Sequence, residues 1–165
     1  MSKGRKTAFI ILCILTGLTV AFIWGNSCLP KATSGAESSS VYDAVIKPFF
    51  AVFEGLFGVE FMTPEIARKL AHAFEFFVLA TEINLLYATK LHYGWKFALY
   101  SLFFSFTVAF LDETIQVISE RGPMITDVYI DFVGALIGTL LVFLIAAAVD
   151  AGKKRRRKTR EEKPE

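Results

Sequence analysis

The stretch DVYIDFVGALIGTLLVFLIAAAV (127–149), followed at once by DAGKKRRRK (150–158), decides the architecture of this chain. No residue from Phe132 to Val149 carries a charge, and at ~1.5 Å of rise per residue such a run is long enough for a helix to cross the hydrocarbon core of a bilayer. It ends against Lys153, Lys154, Arg155, Arg156, Arg157 and Lys158, with Arg160 and Lys163 beyond. A basic cluster placed directly after an apolar helix anchors topology and attracts anionic lipid headgroups. The same composition in another context would suggest nucleic acid; beside a span it assigns the partner as membrane lipid, and no nucleic-acid partner is expected. The rest of the chain agrees: 54% hydrophobic residues, 17 Phe and a mean hydropathy of +0.49 are too apolar for a water-facing globular surface. Lipid is the solvent for most of it.

Working outward, the sequence reads as an all-α membrane protein. A cytoplasmic N-terminus (1–7) precedes a four-helix transmembrane domain (8–149) with spans at about 8–24, 66–89, 97–119 and 127–149, and a basic, hydrophilic, disordered tail (150–165) follows. Thr63-Pro64-Glu65 has the grammar of a helix start: a hydroxyl N-cap, a proline at the first helical position and a carboxylate at the positive end of the dipole. Gly94 marks a short turn after the second span, Gly122-Pro123 stops the third, and Thr126 is placed to cap the fourth. Between the first two spans, Gly25-Asn26-Ser27-Cys28-Leu29-Pro30 opens a Ser-rich polar connector. Within its second part, Val41 to Phe57, the residues Asp43, Lys47 and Glu54 form a narrow polar strip on an otherwise apolar helix, with Pro48 inside it. This predicts an interfacial helix in the first extracellular loop.

The first apolar run, Ala8 to Trp24 after Lys3, Arg5 and Lys6, resembles a secretory signal, with cleavage near Asn26 or Ser27 as one alternative. Its length reaches the lower limit for spanning, so an uncleaved signal-anchor helix is expected. Cys28 lacks the preceding residues of a lipoprotein site, and Cys13, mid-membrane, is no partner for it. Counting Lys and Arg on alternate sides gives thirteen on the side of the termini and five on the other. The positive-inside rule then places both termini in the cytoplasm. The two hairpins differ in loop length and charge pattern, so no inverted repeat is evident.

Charges inside the spans carry the functional reading. Lys69, His72 and Glu75 recur three residues apart early in the second span, just after Arg68, and Glu75 sits roughly 16 Å inside the helix start. Asp112, Glu113, Gln116 and Glu120 occupy the last third of the third span, with Arg121 after it, and Asp127 and Asp131 lie one turn apart at the start of the fourth. Alternation of direction brings all of these to the outer half of the membrane. An ionisable residue at the bilayer centre costs about 2.5–3.5 kcal/mol on the lenient insertion scale, so these groups face one another rather than lipid. Carboxylates outnumber fixed cations six to three, which calls for protons, a metal ion or a cationic ligand. The bland alternative is a polar network that locks three helices together. His72 and Glu75 reverse the Glu-x-x-His order of carboxylate–metal bundles and occur once, so they do not specify a metal; a divalent cation such as Mg²⁺ would suit the carboxylates ahead of zinc. Gly134 and Gly138 continue the Asp127–Asp131 stripe as a small-residue packing seam. Glu82 and Asn84 lie deeper in the second span, without partners in the outer cluster. No phosphate loop, nucleophile elbow, zinc-protease pair or Cys–His arrangement occurs.

The ordered set Arg68-Lys69-x-x-His72-x-x-Glu75, Asp112-Glu113-x-x-Gln116 with Arg121, and Asp127-x-x-x-Asp131-x-x-Gly134-x-x-x-Gly138 resembles the VanZ-like family, over about Phe22 to Leu141. That family typically has Asn at the position of Asp131. The resemblance implies a multi-pass protein of the bacterial cytoplasmic membrane with an outward-facing site, and its namesake is associated with low-level resistance to the glycopeptide teicoplanin.

Three classes of function compete. In the first, the site binds an envelope ligand such as a lipid-linked cell-wall precursor, an anionic lipid or the glycopeptide itself. Arg68, Lys69 and Arg121 would then hold phosphate or carboxylate, while Glu75, Asp112, Glu113 and Asp131 orient amines or hydroxyls. In the second, the protein is a metal-dependent enzyme on a lipid-linked phosphate or sugar, with His72 or Glu75 as general base. In the third, a homo-oligomer moves protons or small cations through Glu75, Glu82 and Asp112.

Overall fold

A computed structural model describes residues 3–28, 63–90, 93–118 and 125–161, together with 43, 44, 47, 48, 51 and 55 of the first connector, leaving aside the side chains of 90, 125, 160 and 161. Four helices make up the fold: α1 (Lys3–Cys28), α2 (Pro64–Lys90), α3 (Trp95–Ile118) and α4 (Ile125–Glu161). Each is long and apolar enough to cross a membrane, and no strand occurs among the described residues. The interfacial helix expected over Val41–Phe57 lies, as an element, outside the described residues.

The helices alternate in direction. Arg5 Nε at the start of α1 donates to the Thr89 carbonyl at the end of α2, 2.9 Å away, while Ser27 near the end of α1 meets Asp112 near the end of α3. α2 packs most extensively on α4, and α1 leans mainly on α2. The buried core is narrow: Ile23, Phe76, Leu79, Ala80, Ile83, Val108, Ala109 and Ala135. Outside it, Ile14, Leu18, Phe103, Phe110, Ile137 and Leu144 are well exposed. In water such a surface would aggregate; facing acyl chains it needs no cover.

Gly134 and Gly138 form the packing seam that their spacing predicts. A Cβ on Gly134 would overlap the Ala73 backbone, and one on Gly138 would overlap the Phe77 carbonyl and come within 2.9 Å of Thr81 Oγ1. Without hydrophobic drive between helices in lipid, such close backbone approach is how spans gain dispersion contacts.

The expected N-cap of α2 is present: Thr63 Oγ1 accepts from the Ile66 amide at 3.2 Å. α4 begins at Ile125, so Thr126 lies inside the first turn rather than capping it, and its hydroxyl faces Asp127 Oδ1 at 3.5 Å. Two expectations of extent are corrected. α1 runs on to Cys28, taking Asn26 and Ser27 into the helix instead of the connector. α4 runs on to Glu161, so the basic segment expected to be disordered is helical there. Lys and Arg are good helix formers, extending an existing helix needs no new nucleus, and cations are favoured at its C-terminal end.

Candidate functional site

α2 turns one side of its first three turns toward the bundle, and the 3.6-residue period decides which charges go there. Arg68, His72 and Glu75 fall on that side, and Lys69, its side chain 30% exposed against 31% for Arg68, lies beside them. Lys69 Nζ pairs with Glu65 Oε1 one turn back, at 2.8 Å. The Lys69 ammonium is thus engaged at the start of α2, three residues before His72. Arg68 Nη2 lies 3.6 Å from Asp127 Oδ2 on α4, at the edge of the cluster, with nearly a third of its side chain exposed.

Deeper in, the site takes side chains from all four helices. His72 Nδ1 is 3.8 Å from Glu75 Oε2, and Asn26 of α1 hydrogen-bonds Glu75. On α3, Asp112, Glu113 and Gln116 are buried. Asp112 accepts from Ser27 Oγ at Oδ1, 2.6 Å, and from Gln116 Nε2 at Oδ2, 2.8 Å, so both its oxygens are held in place. On α4, Asp131 is only 1% exposed, and neither of its carboxylate oxygens has a hydrogen-bond partner among the described residues. Asp112, Glu113, Asp127 and Glu75 all lie near enough to act on its charge. Donor atoms of His72, Asp112 and Asp131 lie within 4.8 Å of one another. An ionised carboxylate so placed is tenable only when matched by positive charge, because desolvation costs several kcal/mol per ion.

Of the residues singled out in the sequence, the fold thus brings together His72, Glu75, Asp112, Glu113, Gln116, Asp127 and Asp131, with Arg68 at the rim. Glu120 and Arg121 lie outside the described residues. Sequence reading missed Asn26 and Ser27, since small polar residues after an apolar run carry the signal of a loop.

A second polar cluster lies toward the other end, roughly 18 Å along α2 from His72. Asn84 is fully buried. Its Nδ2 lies 2.7 Å from Ser101 Oγ, 3.1 Å from Thr139 Oγ1 and 2.7 Å from the Ala80 carbonyl, so its two N–H groups are shared among three acceptors, while Tyr93 donates to its Oδ1. Burial pushes the Tyr93 phenol up to about 12, so it remains a neutral donor. The cluster ties α2, α3 and α4 together and leaves no polar atom of Asn84 idle, as expected of a structural lock. Glu82, read from sequence as without a partner in the outer cluster, accepts from Thr19 Oγ1 of α1 at 3.2 Å.

A family model described as VanZ/LLP1 matches residues 7–146. Neither a curated protein nor a solved structure matches the chain.

Proposed function

From the premise that the chain belongs to the VanZ/LLP1 family, we propose that it is a bacterial envelope protein that binds a headgroup at this buried charged site. The bound group belongs to an outer-leaflet lipid or a lipid-linked cell-wall precursor, and through it the protein contributes to glycopeptide resistance. The observation that carries this reading is the contrast between the two polar clusters. Asn84 is satisfied on every side, whereas Asp131 is buried with both oxygens unpartnered among the described residues. A lock has no use for an unmatched carboxylate; a binding site does.

Arg68, loosely paired at 3.6 Å and partly exposed, can swing to a phosphate or carboxylate and bind it with two parallel hydrogen bonds. Asp112 and Asp131 face the amines, hydroxyls or cations that accompany such a group. The excess of basic residues at the opposite ends of the helices supports an outward-facing mouth.

Binding to lipid-linked wall precursor, anionic phospholipid and teicoplanin, measured on the purified protein in nanodiscs, tests the proposal. Saturable binding weakened by Arg68→Ala and by Asp131→Asn is expected. The absence of specific affinity for all three would remove the reading.

The grouping of His72, Asp112 and Asp131 favours one second reading, a metal-dependent enzyme acting on a lipid-linked phosphate or sugar. It requires turnover that needs metal and disappears in His72→Ala and Asp112→Asn.

A further inference from the structure

We propose that His72, Asp112 and Asp131 form a three-ligand site for a divalent first-row transition ion, with a coordination position left over for an oxygen of the bound headgroup. This deepens the reading above, resting on the same cluster being a binding site.

Two independent observations point there. The first is convergence. One nitrogen and two carboxylate oxygens, each from a different helix, lie within 4.8 Å of one another. Ligands about 2.1 Å from a shared tetrahedral ion stand about 3.4 Å apart, so atoms already within 4.8 Å of one another are a short closure away from that spacing. The second is the state of Asp131, which is 1% exposed and has no hydrogen-bond partner at either oxygen among the described residues. A buried carboxylate aimed at an imidazole and a second carboxylate is a ligand set lacking only its positive charge, and a dication offsets the two aspartates at once.

The surroundings suit an ion as well. Asp112 is oriented by Ser27 and Gln116, and Glu75 stands 3.8 Å from His72 Nδ1, as a carboxylate commonly stands beside a metal-bound imidazole to fix its ring. The identity of the ligands selects the ion. Mg²⁺ and Ca²⁺ prefer all-oxygen shells, while one imidazole with two carboxylates suits Zn²⁺ or Mn²⁺. The expectation of Mg²⁺ drawn from the carboxylates gives way in this proposal to a transition ion, because His72 converges with them. Three protein ligands leave a fourth position to which a phosphate or hydroxyl oxygen can bind.

The test uses the full chain in detergent, stripped with a chelator and titrated with Zn²⁺, Mn²⁺ and Mg²⁺. Native mass spectrometry and thermal denaturation provide the readouts. One Zn²⁺ or Mn²⁺ per chain is expected, with a rise in melting temperature, and at least a tenfold weaker Kd in Asp131→Asn and in His72→Gln. Glu82→Gln, outside the cluster, should bind as wild type does. Asp131→Asn is isosteric; should it fail to fold, His72→Gln carries the test. A folded wild-type protein without stoichiometric metal, or variants that bind metal unchanged, would overturn the proposal. Precursor binding measured on the stripped and reloaded protein separates the two readings: metal uptake without any headgroup affinity retains the ion site and removes the proposed ligand, and headgroup affinity without metal uptake does the reverse.

Discussion

Gly134 of α4 rests against the backbone of Ala73 on α2, so closely that a Cβ at 134 would overlap the Ala73 carbonyl. Ala73 follows His72, and Gly134 lies one turn after Asp131. The contact that lets the helices touch is therefore also the contact that sets the separation of two site residues. Stability and site geometry are coupled through one missing methyl group.

Gly134→Ala should lower the thermal midpoint of the purified protein and weaken ligand or metal binding together. The clash is with backbone, which cannot rotate away, and overpacking of this kind costs typically 1–3 kcal/mol. Gly138→Ala should cost less, because part of its contact is the movable Thr81 hydroxyl. Gly17→Ala, with nothing within 4 Å, serves as the control and should leave the midpoint unchanged. Equal midpoints for Gly134→Ala and Gly17→Ala would mean that the seam does not bear on stability.

Asn84→Ala should destabilise the fold by roughly 1–3 kcal/mol, the cost of leaving buried partners unsatisfied, since Ser101, Thr139 and Tyr93 all turn to this one amide. Tyr93→Phe, which removes one donor, should cost less. Neither change should alter affinity at the site, which is roughly 18 Å away along the helix. A binding assay run beside the melting curves separates lock from site; affinity that fell in step with stability would argue against two independent clusters.

The number of spans was legible because lipid leaves no alternative: runs such as Phe132–Val149 have only one stable environment. So was the gathering of His72, Asp112 and Asp131 at one end, because alternating direction fixes which helix ends meet. What stayed hidden depends on rotation and on tertiary contact. Lys69 is three residues from His72, and nothing in the sequence told that its ammonium pairs with Glu65 one turn back. Ser27 reads as loop until Asp112 is seen to accept its hydroxyl proton. Asn84 declares no partner in sequence because Ser101 and Thr139 look like ordinary small residues in apolar helices. The basic tail satisfies the composition rule for disorder, but the spanning helix before it supplies a nucleus from which it extends.

Ser27→Ala removes the 2.6 Å donation to Asp112 Oδ1 while Gln116 still holds Oδ2. The expected outcome is a loosely oriented Asp112: affinity at the site falls, on the order of tenfold for a lost outer hydrogen bond around a metal ligand, and the thermal midpoint falls too, reflecting the roughly 1–3 kcal/mol cost of a buried acceptor left short of its donor. Ser27→Thr keeps the hydroxyl and should restore much of the affinity. A fall that Ser27→Thr did not rescue would point to lost space rather than a lost hydrogen bond.

The two cysteines provide a test of orientation. Cys13 and Cys28 are both exposed, but Cys13 lies mid-helix among lipid-facing side chains and Cys28 ends α1 at the same end of the bundle as Ser27, Asp112 and Asp127. The excess of Lys and Arg at the other end predicts that this end faces outward. A membrane-impermeant maleimide added to intact cells should therefore label Cys28 in a Cys13→Ala background. A cysteine placed at Lys153 should react only after permeabilisation, and Cys13 alone should resist the reagent in both conditions. Labelling of the Lys153 position in intact cells, with Cys28 protected until permeabilisation, would invert the protein and turn the charged site toward the cytoplasm, where a wall precursor or a glycopeptide acting outside the cell could not be its ligand.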